Sequence, residues 1–248
     1  MSLHARLIEQ MEEIADRLDA ENDGRRYFHN VYLNTTRAVM AEVEADGFVD
    51  SAWAERWGVA FADLYLDALR AWDDGGNPSK PWRIAFEAAR DLDTTPLRHT
   101  LLGINAHVNY DLPQAFLAVI TDAEFDDPET MSKRASDHAH IDSILASRVR
   151  SEDKNLARVE QRGDRTMADR LLLPFNRVGT KRFLKEGRRK VWSNTNVLAQ
   201  ARRRGPDAYA ADLVRLEDLS GQRVADLVTP RFVLLALARH GFGVELAP

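Results

Sequence analysis

Cysteine is absent from this 248-residue chain. Its absence excludes disulfides, zinc–thiolate sites, iron–sulfur clusters and a catalytic thiol. Any metal would have to be held by His, Asp or Glu, a donor set that suits zinc, iron or manganese. Long apolar runs are missing too. The longest, residues 232–238 (FVLLALA), has the length of a buried helix segment and falls well short of the roughly 18 residues a membrane span requires. The opening Met-Ser-Leu-His-Ala-Arg contains no apolar core of signal-peptide length. The expected location is therefore the cytoplasm, with no membrane partner.

Sustained period-two alternation of β-branched residues is also lacking, which predicts no substantial sheet. No Walker loop, no GxGxxG after a strand, no GxSxG elbow and no HExxH is present. The paired ExxH pattern of ferritin-like bundles is absent as well.

What remains is ordinary globular material, with 44% apolar and 29% charged residues and a net charge of −5. Helical spacing dominates. Leu3, Leu7, Met11, Ile14 and Leu18 recur every three or four positions, and Asn22-Asp23-Gly24 ends that helix. A second helix is predicted from about Arg25 to Ala45, with Phe28, Val31, Tyr32, Thr35, Val39 and Val43 on one face. A third starts at the N-cap pair Asp50-Ser51 and runs to Asp73. Pro81 and Pro96 each sit at a helix start, where a missing N–H costs nothing. The helix from Pro96 is expected to kink or end at Pro113, which lacks a donor and clashes with the preceding turn. Residues 129–161 read as one long polar helix or two. Further helices are expected at 167–184, 190–203, 207–219 and 231–240. The reading is an all-α single domain of eight to ten helices: an N-terminal helix (1–24), a core (25–204) and C-terminal helices (205–248).

Charge is uneven. Residues 176–204 hold ten Lys or Arg, Arg189 and Arg202 among them, and one acid, Glu186. Such a segment could hold an anionic group or an acidic partner, or be a solvated helix face balanced by acids elsewhere. It lacks the aromatic interleaving of a single-strand nucleic-acid platform.

Two stretches could carry chemistry. In Leu101-Leu-Gly-Ile-Asn-Ala-His-Val-Asn-Tyr-Asp-Leu-Pro113, the polar residues Asn105, His107, Asn109 and Asp111 interrupt an apolar helix. His107 and Asp111 are four apart and project from one face. They could share an ion, or the carboxylate could orient the imidazole. Gly103, one turn earlier, allows close approach of a backbone or ligand. The second stretch, Ser136-Asp137-His138-Ala-His140-Ile-Asp142, repeats the spacing in His138 and Asp142. Ile141, Ile144 and Leu145 inward would place Asp137, His138 and Asp142 at the buried boundary. Two helices that each present a His/Asp pair are how bundles build metal sites, and Asp63, Asn105, Asn30 and Tyr32 are the candidate supporting groups. Asp63 is expected to be buried and paired. His29 is as compatible with the surface as with the interior. The structural alternative is a core histidine satisfied by Asp111.

The run Phe61-Ala-Asp-Leu-Tyr-Leu66, the Pro96-Leu97 opening, Leu102 to Pro113, and Asp137 with Ile141-Asp142-Ser-Ile-Leu145 resemble a family of uncharacterised actinobacterial all-helical proteins. That family is a domain of unknown function with a Gly-(Met/Ile)-Asn-Ala-His-(Ile/Val)-Asn-x-Asp-Leu core. Val191-Trp192-Ser-Asn-Thr-Asn196, followed by Ala201-Arg202, is similar to the family's later helix. The likeness covers roughly residues 25–202 and implies that His107, Asn109, Asp111, Asp137, Asp142, Trp192 and Arg202 belong to one site. It implies no reaction. The chain departs from the pattern at Asp63, where Asn is expected, and in the basic 181–190 segment. A more distant likeness, at the level of fold alone, is to the helical zinc-dependent phospholipase C and nuclease group.

Three functional expectations follow. In the first, His107 and Asp111, with His138, Asp142 or Asp137, bind a zinc, iron or manganese ion of a hydrolase or oxygenase. Tyr65, Tyr110 and Trp192 then wall the small-molecule substrate, and Arg202 or Arg189 holds its anionic group. In the second, a metal-free biosynthetic enzyme uses His107 and Asp111, with Asn109, as acid and base. In the third, a helical binding protein docks an acidic partner through its basic segment.

Overall fold

The structure is a computed structural model. It describes residues 2–91, 94–159, 179–228, 241 and 243–246, with the backbone alone for Asp142, 145–159 and 179–184. Helices and their connections account for nearly all the described residues, residues 241 and 243–246 being non-helical, and no strand occurs among them. The expected helices 167–184 and 231–240 lie wholly or mostly outside the described residues.

Helix α1 spans Leu3–Ala20 and α2 spans Arg26–Glu44. The Ser2 hydroxyl accepts from the Ala5 N–H at the start of α1, and Leu7, Met11, Ala15 and Leu18 form its buried stripe. In α2 the buried face is Phe28, His29, Tyr32, Leu33, Thr36, Val39 and Met40. Val31, expected inside, is 43% exposed. Helix α3, Ser51–Asp73, is capped by Asp50, which accepts from the Trp53 N–H. It buries Trp53, Trp57, Tyr65, Leu66 and Leu69. Helix α4 is Lys80–Ala88 and α5 is Pro96–Ala106, with Pro in the first turn of each.

Of the kink or end expected at Pro113, the structure shows no end: the helix runs on through a widened turn. The backbone widens into a π-turn over His107–Asp111, in which the Leu112 N–H reaches back to the His107 carbonyl, and it continues as α6, Leu112–Val119. The physical reason is local. The wider turn carries the chain past a residue that can neither donate nor tolerate the carbonyl four positions back. The short α7 (Asp122–Phe125) has a capping box formed by Thr121 and Glu124. Helix α8 is one continuous Pro128–Val159. Helix α9, Gly179–Arg204, joins what reads in the sequence as separate segments, and α10, Pro206–Val228, extends past the expected stop at Leu219.

The α5–π–α6 rod lies at the middle of the packing. Its α5 end contacts α2, α4 and α10, and its α6 end contacts α3 and α9. One apolar cluster gathers Leu7, Met11, Phe28, Tyr65, Leu66, Trp82, Phe86, Leu102 and Val224. A second gathers Trp53, Trp57, Leu112, Phe116, Ile120, Ile144 and Val191. The third is built by Leu117, Leu198, Leu216, Val244 and Leu246. The π-turn sits where the three meet.

Candidate functional site

The π-turn aims three polar side chains in two directions. His107 and Asp111 turn into the first cluster. There His107 Nδ1 lies 2.8 Å from Asp111 Oδ2, and the Trp82 indole N–H donates to the same oxygen at 2.8 Å. Both dyad residues are buried, at 2% exposure each. Phe61 lies flat on the imidazole, with centroids 3.6 Å apart and planes 4° apart. Tyr32 meets the ring edge-on at 4.5 Å. Phe28, Tyr65 and Trp82 complete an aromatic cage at 5.8–6.0 Å. Phe61 is the one half-buried member; the other four are buried.

Sequence makes this cage possible at one glycine. A Cβ on Gly103 would stand 2.3 Å from the Phe28 ring, so the group that approaches closely is Phe28 of α2. On the far side of the cage, Phe28, Tyr65 and Trp82 floor a small crevice of about 10 Å³, rimmed by Gly24, Phe86 and His99. That is room for roughly one water molecule.

Burial pushes the His107 imidazole below its usual range, with Asp111 opposing the shift. It pushes the Asp111 carboxyl upward, against the hydrogen bonds from His107 and Trp82. A neutral imidazole that gives its Nδ1–H to a carboxylate presents Nε2 as an acceptor. Among the described residues that Nε2 is buried with no hydrogen-bond partner.

The other expected site residues are distributed elsewhere. Asn105 donates to the Leu101 carbonyl and accepts from Asn109. Asn109 faces away from the dyad and accepts from the Val244 N–H at 3.1 Å. Tyr65 is a cage residue, and its hydroxyl meets His29 Nδ1 at 2.9 Å. His29 is fully buried, its Nε2 bonded to the Met11 carbonyl. Asp63, expected inside, is exposed, because its position on α3 falls on the side away from Tyr65 and Leu69, at the middle of the buried stripe. Asn30 bonds Asp19 at the surface. Tyr110 packs in the third cluster, away from the dyad.

The second His/Asp stretch does not join the first. Asp137 is buried, but its two oxygens accept from the Val49 and Asp50 backbone N–H groups at 2.7 and 3.1 Å. It fastens α8 to the start of α3. His138 is buried among Trp57, Phe116 and Trp192, in the second cluster. Trp192 stacks on Phe116 at 4.3 Å. The Asp142 side chain lies outside the described residues. Among the described residues no three His, Asp or Glu side chains converge as a metal cluster would.

Arg202 is also spoken for. It donates to the Leu117 and Ile120 carbonyls and to Asp122, so it closes the C-terminal end of α6. Arg189 pairs with Glu245 at 3.0 Å. Lys190 pairs with Glu186, Arg203 with Asp126 and Arg204 with Asp212. The described part of the basic segment is thus largely tied to acids of its own chain. Sequence reasoning missed Trp82, whose indole needs a buried acceptor, and Phe61, quoted only as part of a motif. It also missed Asn194 and residues 243–246, which no local pattern marks.

Fold and site define an all-helical protein whose central helix carries, on a π-turn, a carboxylate-oriented imidazole inside an aromatic cage. Within that class the chain belongs to the family of unknown function DUF5995, whose model matches residues 5–230. No curated protein and no solved structure matches it.

Proposed function

We propose that the protein is a metal-free acid–base enzyme in which Asp111 orients His107 and His107 Nε2 moves the proton. The observation that carries this reading is the free, buried Nε2 of an imidazole whose other nitrogen is held by a carboxylate. A neutral base in a dry site needs that arrangement: the carboxylate fixes ring and tautomer and stabilises the imidazolium as it forms. Trp82 keeps Asp111 in place by donating to it. Phe61, the cage wall nearest solvent, is the ring whose rotation admits a small, flat, apolar-bodied substrate. Reactions of the type such a dyad can run are proton abstraction, isomerisation and elimination.

A metal-assisted hydrolase or iron oxygenase on the same pair is the competing enzyme reading. The donor set fits it less well. His107 Nδ1 and Asp111 Oδ2 are committed to each other, and Asp137 and His138 serve other contacts. The 2% exposure of both dyad residues favours a third reading, a structural polar pair in a helical binding protein.

Untargeted mass spectrometry of a small-molecule cell extract, incubated with the wild type and with His107→Gln, separates the three. The proposal expects features consumed by the wild type, spared by the variant at unchanged melting temperature, and insensitive to chelator dialysis. Conversion that vanishes on dialysis and returns with zinc, iron or manganese would move the reading to the metal enzyme. A variant that melts far lower, with no His107-dependent feature, would leave the dyad a structural element.

A further inference from the structure

The described C-terminal residues 243–246 are held as a ligand would be held. Asn109 Oδ1 accepts from the Val244 N–H at 3.1 Å. Asn194 on α9 donates its amide to the Val244 carbonyl at 3.1 Å and accepts from the Leu246 N–H at 2.8 Å. Lys190 Nζ donates to the Gly243 carbonyl at 2.8 Å. All four bonds go to main chain. Asn194 spends both its donor and its acceptor on one extended segment, the use for which a carboxamide is suited. Asn109 and Asn194 are each 1% exposed with residues 243–246 lying against them.

Side chains of the segment alternate. Val244 and Leu246 are buried, at 6% and 1%, in the third apolar cluster. Glu245 between them points outward to Arg189. That is period-two reading by pockets on one side, with main-chain hydrogen bonds supplying register. Gly243 permits the close approach: a Cβ there would stand 2.8 Å from the Lys190 side chain and 3.5 Å from the Gly187 backbone. The partners on the body, Asn109, Lys190 and Asn194, lie inside the family match at residues 5–230, and the segment they hold lies outside it.

We propose that the groove between the π-turn and α9 is a peptide-binding site for an extended apolar–acidic–apolar segment, and that residues 243–246 are its resident cis competitor. Recognition through main chain makes the site indifferent to most side chains and selective at the two pockets. The acidic middle residue meets Arg189. Tethering gives the resident segment an effective concentration on the order of mM, so a peptide in trans competes only when the resident's pockets are emptied or when it is present in large excess. Asn109 lies on the same π-turn as His107 and Asp111. The peptide site does not depend on what the dyad catalyses.

The test uses the full chain and a fluorescein-labelled octapeptide of sequence Gly-Phe-Gly-Val-Glu-Leu-Ala-Pro, read by anisotropy. The double variant Val244→Ser, Leu246→Ser is expected to bind the peptide at least tenfold more tightly than the wild type. Adding Asn194→Ala to that background is expected to weaken binding at least tenfold. Serine at both apolar positions of the peptide is expected to abolish binding. A folded double variant that binds no peptide, or binds it independently of Asn194, overturns the proposal. Should the double variant fail to fold, hydrogen exchange on the wild type decides. Millimolar peptide must accelerate exchange of the Val244 and Leu246 amides, and unchanged protection refutes the site.

Discussion

Asp111 is the residue on which the most depends. Its Oδ2 accepts from two buried donors, the His107 ring and the Trp82 indole, and a buried donor left unpaired carries its full desolvation cost. Asp111→Ala strands both donors, at about 1–3 kcal/mol each, so it is expected to lower stability by about 2–6 kcal/mol, measured by urea denaturation. Trp82→Phe keeps an aromatic ring at the site but removes the indole N–H and its five-membered ring. It should cost about 1–3 kcal/mol for the lost hydrogen bond, with a further cost for the space left in a buried position. In the double variant the two losses should be clearly less than additive, since both report on one oxygen. Full additivity would show that Trp82 and Asp111 are not coupled.

At the scale of elements, the α5–π–α6 rod is held by close packing at one end and by a side-chain cap at the other. Gly103→Ala would drive a methyl into the Phe28 ring, and overpacking of this kind costs about 1–3 kcal/mol. The same variant should broaden the His107 ring resonances in NMR spectra, because Phe28 is a wall of its cage. Arg202 supplies the cap, donating to the Leu117 and Ile120 carbonyls at the end of α6. Arg202→Lys cannot reproduce that planar fork, so it should destabilise nearly as much as Arg202→Ala. Equal stability of wild type and Lys variant in thermal melts would contradict the capping role.

Across the whole molecule, buried imidazoles contribute to the acid limb of stability, beside carboxylates held below their usual range such as Asp23 and Asp50. Burial, with a smaller push from Arg188, holds His138 down at about 3, and burial also lowers His29. A base whose folded value is depressed takes up protons more readily when unfolded. Its stabilisation is complete above the unfolded value near 6.5 and drains away below it, by about 1.4 kcal/mol per pH unit for one proton. For His138 that loss continues to about pH 3. In the dyad, the lowered His107 and the raised Asp111 work in opposite directions. His138→Leu should therefore flatten the fall of stability between pH 6 and pH 4 by about one proton's worth. An unchanged slope in denaturation series across that range would show that His138 is not buried as a neutral ring. His4 has the reverse sign. Glu55 and, after burial's opposing effect, Glu44 raise it, so its tie between α1 and the Glu44 and Glu55 helices is strongest below about pH 6.5. That tie is lost as pH rises through the raised value.

The sequence by itself determined the helices and most of their ends. Periodicity, caps and the Pro and Gly punctuation are local, and backbone geometry turns them into structure without reference to distant residues. It also determined that His107 and Asp111 share one helical face, because i and i+4 always do. It could not determine what that face meets. The cage of Phe28, Tyr32, Phe61, Tyr65 and Trp82 comes from three other helices. The diversion of Asp137 to the Val49 and Asp50 amides depends on where α8 crosses the start of α3. A spacing argument treats the 107–111 and 137–142 turns alike. Only the tertiary packing, which spends Asp111 on an imidazole and Asp137 on backbone, made them different. The extended segment at 243–246 was decided the same way, because its hydrogen bonds are made by carboxamides more than 40 residues away in the chain.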